Sequence, residues 1–164
     1  MADENKYKKA AFGAGCFWGV EETFRTTKGV VSTAVGYMGG HTENPTYEDI
    51  CSGQTGHAET VEVTYDLSII SYNELLNIFW KIHDPSTLNH KGPDIGEQYR
   101  SIIFYYDAEQ GKAARASKEE LNKSGVYRQD IVTEIVPARK LKFYMAEDYH
   151  QKYIKKRGQS SCRF

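Results

Sequence analysis

Around Cys16 the hydrophobic period changes within a few residues, and that switch limits the architectures open to the chain. Lys9 to Ala14 reads as a short strand ending in Gly13-Ala14-Gly15. From Phe17 the apolar residues fall at helical spacing, with Phe17, Val20 and Phe24 on one stripe and Gly29 past its end. A strand that runs through glycine into a helix calls for a sheet with the helix folded back on it.

The rest of the chain keeps interleaving the two periods. Val30 to Met38 is alternating and rich in β-branched residues, hence a strand, and Gly39-Gly40 turns it. The loop from His41 to Gly56 holds one helical turn around Tyr47 to Cys51. Glu59, Val61, Val63 and Tyr65 share one face of the next strand, opposite Thr60, Glu62 and Thr64. Ser71-x-x-Glu74 is a capping box opening a helix with Leu75, Phe79 and Ile82 on one face, closed by Pro85. A long loop, Pro85 to Gln98, precedes a strand from Tyr99 to Tyr106; Asp107 caps a helix that runs to about Ser124 and stops at Gly125. Ile131 to Val136 reads as a strand and Tyr144 to Lys156 as a helix. Several connections are loops rather than crossover helices. The expectation is therefore an α+β two-layer sandwich, a mixed β-sheet covered by helices. The 164 residues are expected to form a single domain, with 1–8 a polar N-terminal segment and 158–164 expected as a mobile C-terminal tail.

Composition removes several classes of function. A net charge of -1 gives no electrostatic reason for a nucleic acid or an anionic membrane as partner. The N-terminus has no apolar stretch that could act as a signal peptide and no run is long enough to span a bilayer, so a cytoplasmic location is the default expectation; a monomer is also expected. The three cysteines are far apart, without C-x-x-C and without histidine at zinc spacing, which argues against a disulfide scaffold and a metal site. No bound cofactor is expected, and at least one thiol needs a burial place or a chemical role.

Cys16 sits where the strand ends and the helix begins. Unpaired N–H groups and the helix dipole favour negative charge there, and a fall of the thiol pKa from roughly 8.5 to roughly 7 would make about half of it thiolate at neutral pH. A buried structural cysteine remains the alternative on these features. Phe17 and Trp18 beside it offer an apolar cage for a small group, although Phe17 also fits the core stripe. Glu59 lies on the apolar face of its strand, where withdrawal from water would raise its pKa and let it donate a proton. The alternative is a strand end open to solvent. Tyr47 and Tyr99, in or beside loops, are candidate donors to a cleft, and Asp94 in Lys91-Gly-Pro-Asp-Ile-Gly96 is a candidate for orienting a water.

These residues fall within segments that resemble a known family. Gly15-Cys-Phe-Trp-Gly19 is similar to the signature of the A-type peptide methionine sulfoxide reductases. Gly56-His-Ala-Glu59, Gly-Pro-Asp-Ile-Gly at 92–96, Gln98-Tyr-Arg-Ser101 and Ala146-Glu-Asp-Tyr-His150 resemble that family in its own order, from about Lys9 to about Tyr153. The resemblance implies an α+β sandwich and S-epimer reduction of methionine sulfoxide, free or in proteins. It implies Cys16 as nucleophile, Glu59 as proton donor, and Tyr47 and Tyr99 as hydrogen-bond partners of the sulfoxide oxygen. Asp94 would act through a water, and Phe17 and Trp18 would form the methyl-binding wall. The sulfenic acid left on Cys16 must then meet a second thiol, and the disulfide would be reduced by thioredoxin.

Cys162, in the tail, is the favoured second thiol; Cys51 is its rival, and an outside thiol is a third route. His57 reads as a loop or supporting residue, and His150 has no assigned role. A thiol peroxidase, a cysteine hydrolase using one of the five histidines, and a sulfoxide-binding module are the competing classes.

Overall fold

The computed structural model describes residues 6–86, 90–91, 94–95 and 97–156. Strand β1 (Tyr7–Ala14) runs into helix α1 (Phe17–Arg25), followed by β2 (Val30–Met38), the one-turn helix α2 (Tyr47–Cys51), β3 (Ala58–Asp66) and α3 (Tyr72–Lys81). A small hairpin of β4 (His90–Lys91) and β5 (Asp94–Ile95) leads through a 3₁₀ turn (Glu97–Tyr99) into β6 (Ser101–Tyr105). Then come α4 (Ala108–Ser124), β7 (Glu134–Pro137), β8 (Tyr144–Met145), a 3₁₀ turn (Asp148–His150) and α5 (Tyr153–Lys156).

The main sheet has six strands in the order β7-β6-β1-β3-β2-β8. All its pairs are antiparallel except β6–β7, which is parallel and joined through α4. The mixed α+β fold anticipated from the sequence is therefore present. The helix ends sit where their signals stand. Thr46 and Ser71 each close a capping box, the Asp107 side chain accepts from the Gln110 N–H, and Gly125 ends α4 at φ 74°.

Alternation along the strands builds a core on each face. On one face Phe12, Val35, Val61, Val63 and Tyr65 pack under Val20 and Phe24 of α1 and Leu75, Leu76 and Phe79 of α3. Phe12 stacks between Phe24 and Phe79, with both ring centroids 5.2 Å away. Each such side chain contributes roughly 1.5–3 kcal/mol by leaving water. On the other face Met38, Ala58, Ile102 and Phe104 lie under Ala138, with Leu141 and Phe143 packed alongside. Helices cover the first face; an irregular segment covers the second.

Local pattern and structure part company in four places. The strand expected from Tyr99 begins at Ser101, because Tyr99 is taken into the 3₁₀ turn. The strand expected over 131–136 is shorter and later, Glu134–Pro137, since only that stretch finds a partner in β6. The loop from Pro85 to Gln98 holds the β4–β5 hairpin.

The largest difference is at 144–156, expected as one helix and found as β8, a 3₁₀ turn and the short α5. Tyr144 and Met145 pair with Tyr37 and Gly36 at the sheet edge. The Gln151 amide accepts from the Val35 N–H at 2.9 Å and donates to the Val35 carbonyl at 2.9 Å. These bonds to β2 hold the segment out of a continuous helix.

Candidate active site

Gly15, at φ 98°, takes a conformation that disfavours any side chain, and it swings the chain from β1 into α1 so that Cys16 becomes the residue capping the helix. Cys16 is half-buried there. The N–H of Phe17, the first donor of the helix and one with no intrahelical acceptor, donates to Glu59 Oε1 at 3.2 Å. Glu59 is 2% exposed, so it belongs to the buried face of β3, as its register with Val61, Val63 and Tyr65 implied, and not to solvent. One hydrogen bond thus brings the thiol-bearing turn against the carboxyl.

Tyr37 faces Glu59 across the β2–β3 pair. Burial first, and then a hydrogen bond to Glu147, push its phenol pKa well above the ordinary range. Tyr47 opens α2 and is half-buried. Its phenol is also pushed well up, first by burial and then by the neighbouring Glu59 carboxyl, with Tyr99 and Cys51 beside it. Both phenols keep their protons at neutral pH and are hydrogen-bond donors. The structure therefore brings Tyr47, Tyr99 and Glu59 together. Tyr99, at the end of its 3₁₀ turn, is half-buried.

Phe17 is 1% exposed, its ring 5.8 Å from Tyr37 and 5.2 Å from His150, so it backs the site from within the core. Trp18 is half-buried and lies flat on Tyr153 at 3.9 Å between centroids. Its indole N–H donates to His150 Nδ1 at 2.9 Å. Indole only donates, so His150 carries its own proton on Nε2. Burial lowers the His150 pKa, against a pull upward from Glu147, which keeps the ring neutral. The His150 ring thus lies 5.2 Å from Phe17, 5.7 Å from Trp18 and 4.5 Å from the Tyr47 ring.

Asp94 is placed by its backbone in β5, paired with Lys91. Cys162 lies outside the described residues. Cys51 is exposed at the end of α2, within hydrogen-bonding reach of Tyr47. His57 supports the loop that carries α2: its Nδ1 accepts from the Gly40 N–H at 3.0 Å, and Nε2 meets the Thr42 carbonyl at 2.7 Å. Among the described residues no cluster of three His, Cys, Asp or Glu is placed to hold a metal ion.

Reading the sequence residue by residue missed Tyr37, Glu147 and Tyr153, and left His150 without a role. Tyr37 looked like an ordinary strand aromatic. The signal for Glu147 and His150 was the Ala146-Glu-Asp-Tyr-His150 segment, which the sequence pattern placed inside one continuous helix from Tyr144 to Lys156.

The family model described as Peptide methionine sulfoxide reductase matches residues 8–164. This chain belongs to that family. The reductase is 60% identical over 158 residues to the peptide methionine sulfoxide reductase MsrA of Methanothermobacter thermautotrophicus, covering 96% of this chain and 92% of that one. Its fold is similar to that of reduced Mxr1 from Saccharomyces cerevisiae, with a TM-score of 0.87 and 36% identity over 96% of this chain and 90% of the other. It is also similar to Mxr1 in complex with Trx2, with a TM-score of 0.62 and 29% identity over 91% and 86% of the two chains. The A-type assignment and the oxidoreductase activity on peptide methionine sulfoxide follow from this membership.

Proposed function

We propose that this reductase takes the S epimer of methionine sulfoxide, free or in oxidised proteins, and reduces it through a sulfenic acid on Cys16. The Cys16 thiolate attacks the sulfoxide sulfur, Glu59 gives a proton to the oxygen, and Tyr47 and Tyr99 donate hydrogen bonds to that oxygen. The oxygen passes to Cys16 as methionine leaves. The substrate sulfur is reduced by two electrons and the cysteine sulfur oxidised by two.

The observation that carries this reading is the Phe17 N–H to Glu59 Oε1 bond, which sets a buried carboxyl against the turn that carries the thiol. Burial disfavours the charged carboxylate, so the proton belongs on the oxygen not engaged by Phe17. Trp18, backed by Phe17, supplies the apolar wall for the methyl group, and Asp94 acts through a water. Cys162 then condenses with the sulfenic acid, expelling water and forming a disulfide, with Cys51 as the alternative partner. Thioredoxin restores the thiols; Mxr1 captured with Trx2 supports that reductant. We assign the activity to a single catalytic domain, working as a monomer in the cytoplasm. No bound cofactor takes part.

The test incubates the protein with separate S and R epimers of a methionine sulfoxide peptide and dithiothreitol, beside Cys16→Ser. Turnover of the S epimer alone, abolished by the substitution, is the expected result. Equal turnover of both epimers, or turnover that survives Cys16→Ser, overturns the reading.

A further inference from the structure

Glu147 lies where the expected C-terminal helix is interrupted, just before the 3₁₀ turn Asp148–His150. Its two carboxylate oxygens accept from two different elements. Oε1 accepts from the Tyr37 hydroxyl on β2 at 2.9 Å, and Oε2 accepts from the Tyr47 backbone N–H at 2.9 Å. Tyr47 is the first residue of α2, so its N–H has no acceptor within the helix. The cap residue Thr46 does not supply one either, because its side chain serves the Asp49 N–H.

Beyond this bond, the one-turn α2 is oriented by Ile50 and by the Tyr47 ring, which packs 4.5 Å from the His150 ring. Of its residues only Ile50 is buried. The half-buried carboxylate therefore ties the start of α2 to the strand on which Tyr37 stands opposite Glu59. Burial works to raise the Glu147 pKa, but the Tyr47 N–H, its own N–H and the Tyr37 hydroxyl outweigh it and hold the carboxyl below its usual range. It is an anion at neutral pH, and a charged acceptor makes a stronger and more directional bond than a neutral one.

We propose that Glu147 is a positioning residue of the reductase, bridging Tyr37 and Tyr47 so that the Tyr47 phenol is held beside Glu59 at the Cys16 turn. The proposal rests on the reading of Tyr47 as a donor to the sulfoxide oxygen. The charge on that oxygen changes as the thiolate attacks, so a misplaced donor is felt in the chemical step more than in substrate binding. A displacement of about 1 Å is enough to lower a rate on the order of a hundredfold.

The experiment compares kcat and KM for a methionine-S-sulfoxide peptide, with dithiothreitol as reductant, in the wild type, Glu147→Gln, Tyr47→Phe and the double variant. A glutamine offers one accepting oxygen where two donors must be met. The expected result for Glu147→Gln is a kcat lowered roughly 10- to 50-fold, within the range set by such a displacement, with KM within about twofold. In the Tyr47→Phe background the same change should cost less than about threefold, because the donor it positions is gone.

Wild-type kcat in Glu147→Gln, or losses that multiply in the double variant, overturn the proposal. Wild-type kcat in Tyr47→Phe would instead sink the reading of Tyr47. Should Glu147→Gln fail to fold, Tyr37→Phe releases the other end of the bridge while keeping the buried ring. It should lower kcat by a smaller factor and be non-additive with Tyr47→Phe; additivity there overturns the proposal equally.

Discussion

The Phe17 N–H and Glu59 Oε1, 42 positions apart in the chain, meet at 3.2 Å and fasten the first turn of α1 to the start of β3. The helix N-terminus gains a negative or hydrogen-bonding partner, and the carboxyl gains a fixed orientation beside Cys16. Glu59→Gln keeps the oxygen that Phe17 needs but removes the transferable proton. It should lower kcat/KM for sulfoxide reduction by about 10²- to 10⁴-fold with the fold intact by circular dichroism. A variant retaining more than a third of wild-type kcat/KM would remove Glu59 from the proton-donor role.

Trp18 is the next test, because its indole makes both a polar contact and a stack. Trp18→Phe leaves the buried His150 Nδ1 without its donor, at a stability cost of about 1–3 kcal/mol. It should also raise KM for the sulfoxide peptide several-fold while the product with dithiothreitol stays the same. Chemical denaturation and steady-state kinetics read the two effects separately. An unchanged denaturation midpoint would show that the Trp18–His150 bond contributes nothing.

His57 and His150 should couple stability to pH on the acid side. Burial leads in lowering both pKa values below the ordinary 6.5, against which the Thr42 carbonyl partly supports the proton on His57. A group with a depressed folded-state pKa stabilises fully above its unfolded value and loses that stability as pH falls toward the folded one. The melting temperature should therefore be level above about pH 7 and fall below about pH 6.5. His57→Asn should flatten part of that slope. A wild-type curve that rises on acidification through this window would contradict the assignment.

Gly36 makes room for the edge strand. A Cβ there would fall on the Tyr144 carbonyl oxygen and within 2.5 Å of Phe143 Cζ. Backbone cannot yield as a flexible side-chain end can, so Gly36→Ala should destabilise the protein by roughly 1–3 kcal/mol. It should also lower turnover, since β8 leads directly to Glu147. Thermal melts and activity in one preparation check both; full activity with an unchanged melt would mean the edge repacks freely.

Much of the fold was legible because it is written in short-range chemistry. The Glu59–Tyr65 alternation, the Ser71-x-x-Glu74 box, the Asp107 cap and the Gly125 stop each depend on residues within one turn or one strand, and each element appears where they stand. The period of two put Glu59 on the face of Val61 and Val63 but left a solvent-open strand end as the alternative, and only the folded chain, where Glu59 is buried, decides between them. The segment after Tyr144 was different. Its polar and apolar residues fit a helix as well as they fit an edge strand, and only the Val35 and Gly36 backbone beside it distinguishes the two.

The sequence by itself determined the elements from β1 through α3, the helix α4, the mixed sheet and the position of Cys16 at a helix start. Helix caps and strand periods act over a few residues, so local order carries them. Tertiary structure alone decided that Glu147 reaches Tyr37 and Tyr47, residues 110 and 100 positions away, and that His150 meets Trp18 across 132. No local period encodes a bond of that span. It forms only when β8 has paired with β2 and the interrupted segment is carried back over the start of α1.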